Sequence, residues 1–216
     1  AMKNINFNAR STYHSVVFRK MHIYYHLMNK LAEAYQMALH GLDLTAGEAR
    51  SIYYIYAGKI ALDITRYGIP EESRTEMINQ AEKYLSKALK YPAFELQAKA
   101  SLAVVKAGAQ KWQEALDYAD EVSKKVSDRD VTMLNIIGVA ASNLGKQQQA
   151  EEALVKALAL APENPVYHRD LGVVLVRSQQ LDRARRHLEA AAGSLAAPPE
   201  VRTHAISLIA SVTEAE

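Results

Sequence analysis

The chain has 216 residues, enough for one helical repeat array or two small domains. Hydrophobic residues make up 49% and charged residues 23%, the composition of an ordinary folded chain, and a net charge of +2 gives no general reason to expect nucleic acid or an anionic surface as partner. There is no cysteine, which excludes disulfides and thiol chemistry, and no apolar run approaches the roughly 18 residues of a membrane span.

Ala1-Met2 reads as a cloning remnant ahead of a native or truncated start, so the lack of a signal peptide carries no weight. Residues 3–10 show no period and are expected to be a loose lead. Ser11 or Thr12 can cap a helix that runs to about His40, with Val17, Met21, Tyr24, Met28, Leu31, Tyr35 and Ala38 at three- and four-residue spacing. No glycine or proline interrupts it, so one long helix is favoured over a hairpin broken near Asn29. Gly41 is expected to end it, and Thr45 to cap the next helix.

Glu48 to Tyr67 reads as that next helix, closed by Gly68-Ile69-Pro70, and Ser73 to Lys90 as its partner. Phe94–Ala109 and Trp112–Lys125 read as a hairpin, and Asp130 as the cap of a helix from Val131. The segment Val131–Ala196 holds one pattern twice. Leu134, Ile137, Gly138 and Ala141 precede Ala150, Leu154, Ala157 and Pro162. Then His168, Leu171, Gly172 and Leu175 precede Ala184, Leu188 and Ala191, each glycine and each leading alanine 34 residues on from its counterpart. Gly145 suits a left-handed helix end, and Pro162 and Pro165 stop one helix and start another. A glycine inside a helix costs about 1 kcal/mol relative to alanine, so its presence implies close approach by a neighbouring backbone. The facing alanine is expected to meet it. Finally, Pro198-Pro199 opens a helix to about Val212, whose stripe is Val201, Ala205, Leu208 and Ile209, with Arg202, His204 and Ser207 off it.

This period, with a small residue in the first helix and an alanine twelve later, resembles the tetratricopeptide repeat. The resemblance is specific over 94–197, moderate over 48–93 and weak over 11–41. Gly58 and Ala81 echo the pattern at a spacing of 23 instead of 12, which leaves the register of that pair open. The fold implied is an all-α solenoid of stacked antiparallel hairpins. It is read as a single helical repeat domain over 1–216, with divergent helices in 11–92, repeats in 94–197 and a capping helix at 199–213.

The resemblance also implies a concave groove lined by first helices. Position by position, that groove would take Thr132, Asn135, Ile136, Val139, Ser142 and Asn143, then Val166, Arg169, Asp170, Val173, Val176 and Arg177. The preceding hairpin would add Gln97, Ala100, Ser101, Val104 and Ala107. Valines 104, 139 and 173 would run down its middle, and Arg169 and Arg177 could pair with a partner's carboxylate. The lysines with which some co-chaperone repeats grip a C-terminal carboxylate are missing here, and only Asn135 is of comparable type. The function implied is a non-enzymatic scaffold or adaptor, bacterial in style, holding a protein or peptide. Two rivals are a self-assembling structural protein and the helical regulatory domain of a larger, membrane-associated assembly.

No catalytic or cofactor constellation appears. His22 and His26 share a helix face, but the sequence between them is Ile-Tyr-Tyr and the nearest acid is Glu33, so two packing or surface histidines are the better reading than a metal site. Tyrosines 24, 25, 35, 53, 54 and 56 are expected to fill space between helices, and Arg183, Arg185 and Arg186 to form a solvated face.

Overall fold

The computed structural model describes residues 14–65, 69–126 and 130–214, which contain helices and turns and no strand. The expected lead at 3–10, the caps at Ser11 and Thr12 and the helix end at Tyr67-Gly68 lie outside these residues. Two compact units are present, Ala1–Val105 and Lys106–Glu216.

In the first unit α1 covers residues 14–22 and loosens into a π-helical turn, Ile23–Leu27. The chain then breaks at Asn29, which adopts φ 48°, before α2 (Leu31–Leu44) begins. The expected single long helix is therefore two helices. Asparagine tolerates the left-handed region better than other side chains except glycine, so it serves as a breaker that carries no proline or glycine signal. Nor does Gly41 end α2: it lies within the helix, where a Cβ would stand 2.0 Å from the Tyr53 ring. Thr45 bonds back to the Gly41 carbonyl at 2.7 Å and so closes α2. A short 3₁₀ turn, Gly47–Arg50, leads into α3 (Ser51–Ile64), which packs on α4 (Glu71–Ala88). A second 3₁₀ turn, Pro92–Phe94, precedes α5 (Glu95–Gly108), within which the boundary between the units falls.

The tyrosines of this unit fill space as expected. Tyr53 is fully buried, with its hydroxyl on His14 Nδ1 at 2.6 Å, and Tyr35 is buried in α2. Tyr25 sets its ring edge-on to Tyr56 and donates to Asp63.

The second unit begins with α6 (Trp112–Val126), followed by α7 (Val131–Asn143) and α8 (Gln147–Leu160), then α9 (Pro165–Arg177) and α10 (Leu181–Gly193). The helix α11 (Pro199–Glu214) packs on α10 and α9. The helix start expected at Asp130 and the helix end expected at Gly145 are in place, and Asn164 adds a further cap. Asp130 accepts from the amides of Thr132 and Met133, Asn164 accepts from Val166, and Gly145 takes φ 77°. Neighbouring hairpins share a core: Ala141, Ala150 and Leu154 of one pack with Leu171, Val174, Leu175 and Ala184 of the next. The outer face of α10 is covered by α11 through Leu188, Ala191, Ala205 and Val212, which caps this unit's core as expected.

Within each hairpin the glycine meets a leucine before it meets the alanine. A Cβ on Gly138 would stand 2.4 Å from Leu154 Cγ, one on Gly172 2.6 Å from Leu188 Cδ2, and one on Gly58 2.5 Å from Leu85 Cγ. The alanine offers its backbone instead: the Ala184 carbonyl lies 3.6 Å from the position at Gly172, and that of Ala81 3.3 Å from the position at Gly58. This settles the register of α3 and α4. Leu85 follows Gly58 by 27 positions, whereas Leu154 follows Gly138, and Leu188 follows Gly172, by 16. Most of the excess lengthens α4 at its start: α4 begins 14 residues before Leu85, while α8 begins seven before Leu154. Seven residues are close to two full turns, so the leucine keeps its face.

His168 on α9 and His187 on α10 approach with Nδ1 to Nδ1 at 3.0 Å, while His168 Nε2 lies 2.8 Å from the Pro162 carbonyl oxygen. A carbonyl only accepts, so Nε2 of His168 carries a hydrogen, and its Nδ1 accepts from His187. The pair has room for one shared proton and not for two. Burial, then His168, Arg183 and Arg186, hold His187 below its ordinary value of 6.5.

Two outcomes are expected. Gly138→Ala or Gly172→Ala should destabilise by up to about 2 kcal/mol net, an overpacking cost of about 1–3 kcal/mol less the roughly 1 kcal/mol gained in helix propensity. Gly108→Ala, which meets nothing within 4 Å, should be neutral or slightly stabilising in the same urea titration. The depressed His187 makes the unfolded chain the better proton binder, so stability is full above about pH 6.5 and declines as pH falls below it. Thermal melts of His187→Gln should show a smaller loss than the parent between about pH 7 and about pH 5.

Candidate functional site

The first helices α7 and α9 start from equivalent caps, Asp130 and Asn164, and sit side by side one repeat apart. Residues 34 or 35 positions apart are therefore neighbours across them. Asn135 Nδ2 donates to Asp170 Oδ2 at 2.8 Å, and Arg177 Nη1 donates to Ser142 Oγ at 2.7 Å. Between the helices lies a concavity of about 330 Å³. Val139, Ser142, Asn143, Arg169, Asp170, Val173 and Arg177, all expected groove positions, line it together with Val174. His204 of α11 completes the lining. Sequence reasoning missed His204 as a groove residue. The available signal was its place off the capping helix's apolar stripe, which says that it points away from the core without saying where.

The two arginines behave differently. Arg169 turns onto its neighbour, with Nε 2.8 Å from Asp170 Oδ1. Asp170 is buried, and its other oxygen takes the Asn135 amide. Arg169 is thus neutralised within the chain, and the carboxylate it pairs with is an internal one. Among the described residues Arg177 bonds only neutral groups, Ser142 Oγ and Asn143 Oδ1, the second at 3.3 Å, and it is exposed. Its charge meets no carboxylate of the described residues at this edge of the concavity. Asn143 is itself anchored to the Val139 carbonyl at 2.9 Å. Half-buried Val139 and Val173 supply the apolar floor.

Other expected groove positions are placed elsewhere. Ile136 is buried in the core, and Val176 packs against the cores on either side of α9. Asn135 serves Asp170 beside the concavity without lining it. Val104 is half-buried on α5, within the first unit.

Elsewhere, His22 and His26 bring their rings to 4.4 Å, yet no group of three or more His, Asp or Glu side chains among the described residues could hold a metal. Burial, with His22 and Lys59, lowers His26 below its ordinary value. The arginine face of α10 is solvated and partly paired: Arg183 meets Glu151 at 2.8 Å, and Arg186 bonds the Asp182 carbonyl at 3.3 Å.

The hairpin that supplies one wall of this site, residues 131–164, matches the family model described as Tetratricopeptide repeat. This segment is a tetratricopeptide repeat. The α9–α10 hairpin repeats its glycine seat one tetratricopeptide period later, and solved structures of such proteins resemble the chain as a whole. MamA from Desulfovibrio magneticus RS-1 is 17% identical with a TM-score of 0.68, over 82% of this chain and 92% of that one. YrrB, a TPR protein with an unusual peptide-binding site, is 18% identical with a TM-score of 0.63, over 83% and 85%. PilF from Pseudomonas aeruginosa is 13% identical with a TM-score of 0.66, over 96% and 91%. At these identities the likeness establishes the all-α tetratricopeptide fold. No curated protein matches the chain.

Asp170→Ala should strand the Asn135 amide and release Arg169, at a cost of about 1–3 kcal/mol. Asp170→Asn, which keeps one acceptor for Asn135, should lose less in the same denaturant titration.

Proposed function

We propose that the chain is a non-enzymatic scaffold that holds an apolar segment of a protein partner in the concavity between α7 and α9. The observation that carries this reading is the floor of Val139 and Val173, open to solvent and framed by Asn143, Arg177 and His204. Water-exposed apolar surface in a concave setting gains free energy when covered, by about 25 cal/mol per Å². Neutral donors and acceptors at the rim can take up the partner's backbone groups. Arg177 offers a charge-assisted bond to an acidic side chain or a chain end. YrrB lends support by likeness, since a peptide-binding site is described for that protein.

The carboxylate of the concavity, Asp170, is engaged twice from within the chain, by Asn135 and by Arg169.

The test is partner capture from extract of the source organism by the chain and by the double variant Val139→Glu/Val173→Glu. The variant should keep its helical circular dichroism and lose the captured partner, because two carboxylates would have to be desolvated on an apolar floor. Capture that survives in the folded variant would remove this concavity from the proposal.

A further inference from the structure

We propose that α1 and its π-helical turn dock the protein on an anionic lipid surface. The argument begins with the two faces of this helix. Val17 and Met21 turn inward and are buried. Val16, Lys20, Ile23 and Leu27, at steps of four, three and four, make a second stripe on the outside. Three of those four are apolar and exposed: Leu27 at 76%, Val16 at 46% and Ile23 at 37%, joined at the helix end by Met28 at 48%. A helix apolar on both faces, one against the core and one against water, leaves the outer face to be covered by something else.

Charge indicates what covers it. Residues 1–32 contain five basic side chains, Lys3, Arg10, Arg19, Lys20 and Lys30, and the first acidic residue is Glu33. The net charge of the whole chain is only +2, so this end is sharply polarised. Lys20 within the stripe and Arg19 beside it are both exposed, and neither has an acidic partner among the described residues. An open cleft of about 420 Å³ meets the stripe at Arg19 and Ile23, with Phe18 and Ile52 as apolar lining and His22 beside the arginine. It offers a cation for a phosphate headgroup next to apolar surface for the start of an acyl chain.

An apolar stripe with basic residues alongside is the arrangement of a helix lying in a lipid interface. Each basic residue close to an anionic leaflet adds to the attraction, which falls away within a Debye length. A second copy of the chain is the rival occupant. It is disfavoured because a like-charged face would meet itself, and because four side chains provide only a few hundred Å² against the roughly 800 Å² per partner of a standard stable interface. No helix of the described residues is long and apolar enough to cross a bilayer, so the docking is peripheral.

Co-sedimentation of the full chain with vesicles tests this. Phosphatidylcholine vesicles carrying about 30% phosphatidylglycerol should bind the chain at least about tenfold more tightly than pure phosphatidylcholine, and raised salt should release it. Leu27→Glu and, separately, Arg19→Glu/Lys20→Glu should each weaken binding to the anionic vesicles by about tenfold or more while melting like the parent. Three results would overturn the proposal. One is that neither vesicle binds the folded parent. Another is equal binding to both vesicles. The third is a parent that dimerises by light scattering, becomes monomeric on Leu27→Glu and ignores vesicles, which would assign the stripe to a second copy.

Discussion

The seating of a leucine over a glycine is the contact that sets the packing of the glycine-bearing hairpins. Three hairpins use it: Gly58 under Leu85, Gly138 under Leu154 and Gly172 under Leu188. A helical leucine leans towards the N-terminus of its own helix and so lies over the turn that carries the alanine four residues earlier. With glycine opposite, the branched end of leucine can occupy the space where a Cβ would stand. With alanine behind it, the backbone can follow to within 3.3–3.6 Å of that same point at Gly58 and Gly172. Spacing and register are fixed together. Repetition of the seat 34 residues on, from Gly138 to Gly172, is what puts Val139 beside Val173 and Ser142 within reach of Arg177.

Much of this was legible before any coordinates. Caps, prolines and the spacing from Gly138 to Gly172 announce two equivalent hairpins, because each signal is local and each agrees with the others. What escaped was tertiary. Gly41 carries the same sign as a helix end, and only the Tyr53 ring packed upon it explains a glycine kept inside α2. Asn29 breaks a pattern that remains periodic on both sides, since helices before and after it both meet Tyr53 of α3, through His14 and through Gly41. Sequence spacing points to the alanine as the glycine's neighbour because it ignores the lean of side chains. The groove positions followed from equivalence, but Ile136 and Val176 show its limit. A half-turn of rotation decides between groove and core, and periodicity does not resolve it.

Charge in the site is largely spent inside the molecule. Asp170 holds Arg169 on one side and Asn135 on the other, so two residues that read as ligand contacts are structural supports. What is left facing the concavity is apolar floor, neutral rim and one guanidinium. Under the proposed function, such a surface would discriminate by shape and by where backbone groups fall more than by the sign of a partner's charge.

That guanidinium is also a strap. Arg177 leaves α9 and holds two residues near the end of α7, Ser142 and Asn143, so it spans the seam between consecutive repeats. An acidic anchor that claims it whole must loosen the strap, and part of the attraction is then consumed in unfastening the seam. A peptide carbonyl asks for only one of its free hydrogens and leaves the fastening closed. Cargo that engages through its main chain would therefore stiffen this part of the array, and cargo that engages through a carboxylate would slacken it.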